Sequence, residues 1–171
     1  MPLSAVESDA LIESIEASFE LRGFGLWAVE LPGEAPLIGL VGLWQLDPAL
    51  PFAPGVELGW RLARPYWGRG LALEAARASA GFGFGELGLS ELVAYTAAGN
   101  VRSRRLMERL GMTHDPAEDF THPKLAVGHP LAAHVVYRLG AGEWGGGCRQ
   151  GARCSLLVRA ARGGGVGRGL P

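Results

Sequence analysis

The sequence predicts an α/β (α+β) domain in which a β-hairpin leads into two successive strand–helix units. Three observations predict it. Two apolar stretches, "FGLWAVEL" (24–31) and "LIGLVGLWQL" (37–46), flank the turn-forming "PGEAP" (32–36). The segment "VELGWRLA" (56–63) alternates with period two and runs through a glycine-rich stretch into alanine-rich sequence. The pattern then repeats, with "ELVAYT" (91–96) followed by "NVRSRRLMERLGM" (100–112). A chain of 171 residues that is 48% apolar and 19% charged has material for one core and a modest tail, and is too apolar for a disordered protein.

Ser4 and Glu7 have capping-box spacing, and Leu11, Ile12, Ile15 and Phe19 recur on one face, so an amphipathic helix is predicted up to Arg22–Gly23. The hairpin follows. Three prolines make 46–55 a loop. In the strand 56–63, Val56, Leu58, Trp60 and Leu62 share one face and Glu57, Gly59 and Arg61 the other. A helix is predicted from about residue 69 towards 87, frayed or kinked in "AGFGFGELG", because each interior glycine costs about 1 kcal/mol relative to alanine. Asn100 is the predicted N-cap of the next helix and Gly111 its stop. A polar loop (113–130) and a last strand, "HVVYRL" (134–139), complete the order α-β-β-β-α-β-α-β. The expected domain is 1–139. Residues 140–171, with eleven glycines, are expected to be a disordered Gly/Arg-rich tail.

The formal charge of −1 hides an asymmetry, since the tail carries five arginines against the single acid Glu143. The domain itself is acidic, which argues against nucleic acid as a partner. Cys148 and Cys154, both in the tail, fit no zinc spacing. His114, His122, His129 and His134 contain no pair at helical ligand spacing, so no metal is expected; His122 and His129 are placed instead on the acceptor side. No apolar run has the length of a membrane span, and an acidic N-terminus is unlike a signal peptide, so a cytoplasmic protein is expected. The tryptophans divide into core (Trp27, Trp44, Trp60), glycine motif (Trp67) and tail (Trp144).

The stretch "ARPYWGRGLALEAA" (63–76) carries the chemistry. A dinucleotide fingerprint G-x-G-x-x-G needs glycine where Leu73 stands, and the triphosphate loop G-x-x-x-x-G-K-S/T is absent. Two readings remain. One is a strand-to-helix turn whose bare backbone amides, helix dipole and Arg69 charge receive an anion. The other is an ordinary glycine-rich turn that binds nothing.

The segment resembles motif A of the GNAT acetyltransferases, Gln/Arg-x-x-Gly-x-Gly/Ala, through Gly68, Gly70 and Ala72. Trp67 stands where glutamine or arginine is usual, as in the branch that acetylates ribosomal-protein N-termini. "TAAGNVRSRRLMERLGM" (96–112) is similar to that branch's second signature through Asn100, Ser103, Glu108, Arg109, Gly111 and Met112. "DFTHPKLAVGHPLAAHVVYRL" (119–139) resembles a recurrent ending. The resemblance covers residues 4–139 and implies the GNAT fold, a central mixed, mostly antiparallel sheet flanked by helices.

It also implies the reaction: direct attack of an amine on the thioester of acetyl-CoA, the acetyl donor. The acceptor is then a protein N-terminal amine or a small-molecule amine, with no metal, and a homodimer is an expected assembly. The alternative is a coenzyme A-binding module of the same fold with impaired catalysis. By this resemblance the backbone around Leu62 and Arg64 holds the pantetheine arm. Trp67, Gly68, Arg69, Gly70, Leu71 and Ala72 hold the pyrophosphate, and Asn100 and Ser103 lie beside the pantetheine and sulfur. Glu57, on the polar face of its strand, is the candidate base, with a solvated carboxylate as the alternative. Ser103 is the candidate acid for the departing thiolate; a first-turn serine bonding backbone is its alternative. Asn100 is also explained by capping alone. In the basic run Arg102, Arg104 and Arg105, Arg102 is a candidate for the 3′-phosphate, against a solvated helix face.

Two departures from the family pattern stand out. Relatives begin with a strand and a helix before the first helix seen here, a unit of roughly forty residues. Without that strand the edge of 24–31 is expected to be open and apolar. The tail resembles translated non-coding sequence, so both ends are expected to reflect gene assignment rather than the natural protein.

Overall fold

The structure is a computed structural model that describes residues 4–126, 128–145 and, for the backbone, 157–160. Helix α1 (Ala5–Arg22) is opened by the expected capping box: Ser4 Oγ accepts the Glu7 N–H at 3.3 Å and the Glu7 carboxylate accepts the Ser4 N–H at 2.8 Å. Strands β1 (Leu26–Leu31) and β2 (Ala35–Gln45) form the hairpin, and β3 (Val56–Leu62) runs antiparallel to β2. A short 3-10 turn (Arg64–Tyr66) leads to α2 (Leu71–Gly85), which crosses over to β4 (Glu91–Ala97); α3 (Val101–Leu110) follows. The loop expected over 113–130 holds β5 (Thr113–His114), a 3-10 turn (Pro116–Glu118) and β6 (Phe120–Thr121). β7 (Ala133–Gly140) and β8 (Leu157–Ala160) complete an eight-stranded sheet ordered β5-β7-β4-β3-β2-β1-β8, with β6 also on β7. Among the described strands only β3 and β4 pair in parallel, so the sheet is mixed and mostly antiparallel.

Alternation along the strands builds the core. Val29, Val41, Leu43, Leu58, Leu92 and Leu139 are fully buried and pack with Ala75, Ala76 and Ala80 of α2. Fraying or a kink was expected in α2, which is helical without interruption to Gly85. Gly83 lies against the sheet, where a Cβ would come 3.2 Å from Leu43 Cδ1, while Phe82 and Phe84 pack on the core; close approach outweighs the propensity cost. On α1 only Ile15 and Ser18 are buried, with Ile12 45% exposed, so the apolar face read from the sequence is only partly used.

Described structure continues past residue 139. Trp144 packs on Phe84, with ring centroids 5.6 Å apart, and β8 comes from inside the predicted tail. β8 pairs with β1 from Trp27 opposite Ala160 to Glu30 opposite Leu157, so the β1 edge expected to be open is covered. Residues 146–156 and 161–171 of the predicted tail, including Cys148 and Cys154, lie outside the described residues.

Candidate functional site

The β3–β4 ladder consists of one pair, Glu57 opposite Val93. Towards their carboxyl ends the two strands make no further pairs, and α2 and α3 start from those ends. A cleft at the carboxyl ends of parallel strands, flanked by helix N-termini, is where open α/β sheets bind ligands.

One cavity, of about 480 Å³, occupies the α2/α3 side of this opening. Leu62, Trp67, Gly68, Gly70, Leu71, Ala72, Asn100 and Ser103 line it, so eight of the candidate cofactor residues come together. Gly68 and Gly70 have φ of +76° and +83°, values that side chains disfavour, and a Cβ on either would meet no atom within 4 Å. Gly70 is the N-cap of α2 and supplies no side-chain cap, so the first-turn amides face the cavity's end undressed. The Trp67 indole donates to Leu62 O at 2.7 Å, and the Arg102 guanidinium stacks 4.9 Å over its ring.

Two candidates stand outside this lining. Arg69 is turned towards the β1–β2 turn, where Glu34 binds both its terminal nitrogens at 2.6 and 2.8 Å; this partner, first by hydrogen bonding, holds the Glu34 carboxyl below its ordinary range. Arg64 lies in the exposed 3-10 turn, and its carbonyl accepts the Trp67 N–H at 3.2 Å. The positive charge comes from elsewhere: Arg61, Arg102, Arg105 and Arg109 line the cavity, and no acidic residue does. Positions 102, 105 and 109 repeat at helical spacing on one side of α3. Arg104 points away, donating to Ala98 O at 3.2 Å and the Tyr137 hydroxyl at 3.4 Å. The basic run therefore divides by helical phase: Arg102 and Arg105 line the cavity together with Arg109, and Arg104 does not.

Ser103 sits in a small network. Its Oγ accepts from Trp60 Nε1 at 3.3 Å and from Asn100 Nδ2 at 3.1 Å, while Asn100 Oδ1 caps α3 by accepting the Ser103 N–H at 3.3 Å. Asn100 Nδ2 also donates to Thr96 Oγ1 at 2.9 Å. With both lone pairs of Oγ occupied by donors, the hydroxyl proton is left to point at a further acceptor.

Glu57 does not share this cavity. Strand alternation sends it to the opposite face, into a second cavity of about 690 Å³ with Tyr95, Trp44, Asp47, Arg22 and Lys124. Burial raises its carboxyl to about 7 against a lowering hydrogen bond from the Tyr95 hydroxyl. Burial, and then the neighbouring Glu57 charge, raise Tyr95 in turn. Tyr95 was not singled out from the sequence; what makes it part of the site is its hydrogen bond to Glu57. Trp44, assigned to the core from sequence, is half-buried in this cavity's wall.

Both cavities take residues from β3, and they share none. Tyr95 and Thr96 are consecutive on β4 and serve opposite sides, as do Glu57 and Trp60 on β3, which are roughly 10 Å apart along the strand. His122 and His134, 4.9 Å apart, form an aromatic cluster with Tyr95 and Phe120 behind the second cavity, and burial lowers His122 from its ordinary value. His129 is exposed and its Nδ1 accepts the Leu131 N–H. Among the described residues no three His, Cys, Asp or Glu side chains gather as a metal site, and no helix is long and apolar enough to cross a membrane.

The chain is similar to known acetyltransferases. The FsC-acetyl coenzyme A-N(2)-transacetylase of Aspergillus fumigatus is 36% identical over 100 residues, 54% of this chain and 40% of that protein. The chain spans about half the length, or less, of the curated relatives it matches. An acetyltransferase from Agrobacterium tumefaciens superposes with a TM-score of 0.62 at 29% identity, over 81% of this chain and 74% of that one. The ribosomal-protein-S5-alanine acetyltransferase of Vibrio fischeri, at 18% identity and a TM-score of 0.63 over 80% of this chain and 71% of its own, shares the fold. The profile of the acetyltransferase (GNAT) domain matches residues 1–113, and the chain belongs to that family.

Proposed function

We propose that the protein is an N-acetyltransferase that moves the acetyl group of acetyl-CoA onto an amine by direct attack. The observation that carries this reading is the acid-free cavity with four arginines among its lining residues, set against an uncapped helix N-terminus at two left-handed glycines. Such a cavity suits a ligand with several phosphate charges and little else. It fits the coenzyme by charge, by bare backbone at Gly68 and Gly70, and by its continuation past Leu62 to Ser103. The arginines of α3, rather than Arg69, supply the counter-charge.

Acetyl-CoA supplies a thioester carbonyl. The acceptor approaches from the Glu57 cavity, and Glu57, as carboxylate, removes the amine's proton directly or through one water. The amine nitrogen then bonds to the carbonyl carbon, the carbon–sulfur bond breaks, and the Ser103 hydroxyl gives its proton to the thiolate; the second proton that the nitrogen loses passes through solvent back to Ser103 Oγ, and Glu57 releases the first to solvent. Asn100 and Trp60 position Ser103 for that donation. The name of the fungal relative supports an acetyl-CoA donor and a nitrogen acceptor.

Acetyl-CoA at a hundredfold over its dissociation constant is expected to stabilise the fold by about 2.7 kcal/mol, read as a thermal shift. Free thiol is expected to appear on adding an amine. Absence of the shift would overturn the reading.

A further inference from the structure

We infer that the acceptor is a small amine that also bears a carboxylate, of the free amino-acid class, held in the second cavity with its amine at Glu57 and its carboxylate towards Arg22 and Trp44. The inference rests on the acetyl-transfer reading and concerns the acceptor side of the same site.

The polar groups lining this cavity are mostly spent on one another. Ser14 Oγ donates to Ala10 O and Ser18 Oγ to Phe24 O, each at 2.8 Å; Gln45 Nε2 donates to Gly55 O at 2.9 Å. Asp47 pairs with Lys124 and also accepts the Ala49 N–H at 2.9 Å. What remain are Glu57 with its Tyr95 partner and two donors, the Arg22 guanidinium and the Trp44 indole. Neither donor has an acceptor among the described residues. Neither can accept a hydrogen bond, so both select an anion or a carbonyl, and a guanidinium matches a carboxylate with two parallel bonds.

The net charge of the lining decides against a polyamine. Arg22 and Lys124 balance Asp47 and Glu57, and with Glu57 half protonated near pH 7 the balance is not negative. A polycation finds no excess of acid there, whereas a zwitterion finds one group of each sign. A volume of about 690 Å³ lies within the range of small-molecule sites. Ser14, Ala17 and Ser18 keep the α1 wall short and open beside Arg22. The amine still loses its proton to Glu57 and gains the acetyl group, so the carboxylate is a handle and takes no part in bond changes.

The test is thiol release with saturating acetyl-CoA on the full chain. The panel contains free L-amino acids, their carboxamides, spermidine, and peptides beginning with alanine or serine. At least one free acid is expected to exceed its own carboxamide about tenfold in kcat/KM. Arg22→Ala is expected to close that gap through KM for the acid, and Arg22→Lys to restore part of it. Equal use of acid and carboxamide, a preference for spermidine or peptide, turnover of nothing with acetyl-CoA bound, or an Arg22→Ala loss shared equally by acid and carboxamide would each overturn the inference. Failure of acetyl-CoA itself to bind would instead overturn the reading beneath it, so the two failures are distinguishable.

Discussion

Glu57→Gln separates a functional carboxylate from a merely solvated one. The native carboxyl titrates near 7, its ordinary value is near 4.5, and the first cause of the rise is burial. Below pH 4.5 both folded and unfolded chains hold the proton, so nothing is lost. Between 4.5 and 7 the unfolded chain releases the proton while the native one keeps it, and stability falls as pH rises. Above 7 the native state carries a buried charge that costs about 3 kcal/mol relative to the acid limb. Glutamine keeps the shape and a hydrogen-bonding partner for Tyr95 without a charge. The variant is therefore expected to be more stable than the wild type by up to about 3 kcal/mol at pH 8. That is roughly 6–12 °C in Tm for a domain of this size, and the gap falls below about 1 kcal/mol at pH 5. Turnover is expected to move the other way: the wild type gains about tenfold per pH unit up to 7, and the variant loses activity throughout. Calorimetry and thiol release on the same two proteins at pH 5, 6, 7 and 8 measure both. A stability difference that does not change with pH would refute the buried-carboxylate argument, whatever happened to activity.

Gly70→Ala meets open space but a φ of +83°, so it is expected to cost about 1–2 kcal/mol in stability and at least tenfold in acetyl-CoA affinity, read by denaturation and calorimetric titration. Arg102→Ala, Arg105→Ala and Arg109→Ala are each expected to weaken acetyl-CoA binding about fivefold to tenfold at low salt and less at 1 M salt, whereas Arg104→Ala, which faces Tyr137, leaves it unchanged. Gly42→Ala puts a Cβ 2.3 Å from Gly25 O and 2.8 Å from the Trp27 ring, between packed strands; a loss of about 3 kcal/mol or more is expected in urea titration.

Most of the architecture was legible because local signals agreed with the tertiary outcome. The capping box at Ser4, the turn at 32–36 and the period-two alternation of β3 each fixed an element without help from distant residues. Where the reading failed, a distant contact decided. Gly81, Gly83 and Gly85 read as helix breakers, yet Gly83 permits the approach of α2 to Leu43. Trp144 and Leu157–Ala160 sit in low-complexity sequence, and their distant partners are Phe84 and the edge of β1. At the site, the glycines and the Asn100–Ser103 pair carry backbone and capping chemistry that sequence displays. Arg69 shows the limit. Its position in the motif suggests a phosphate, and Glu34, thirty-five residues earlier, claims its charge.

The placement of charge on either side of β3 bears on the order of events. The first cavity is lined by arginines without acids, and the second has a carboxylate that is uncharged half the time near neutrality. A polyphosphate anion filling the first cavity lowers the potential across the strand gap and favours a cation beside Glu57. It also raises the cost of the Glu57 charge, because like charges oppose one another through the low-dielectric sheet. Donor binding is thus expected to push the Glu57 titration upward and to strengthen Glu57 as a base, both on the arrival of acetyl-CoA. The pH midpoint of kcat, which reports the bound complex, is then expected above that of kcat/KM for the acceptor taken without saturating donor. A midpoint in the bound complex at or below the free one would mean that the two cavities do not feel each other, and that Glu57 is tuned by burial alone.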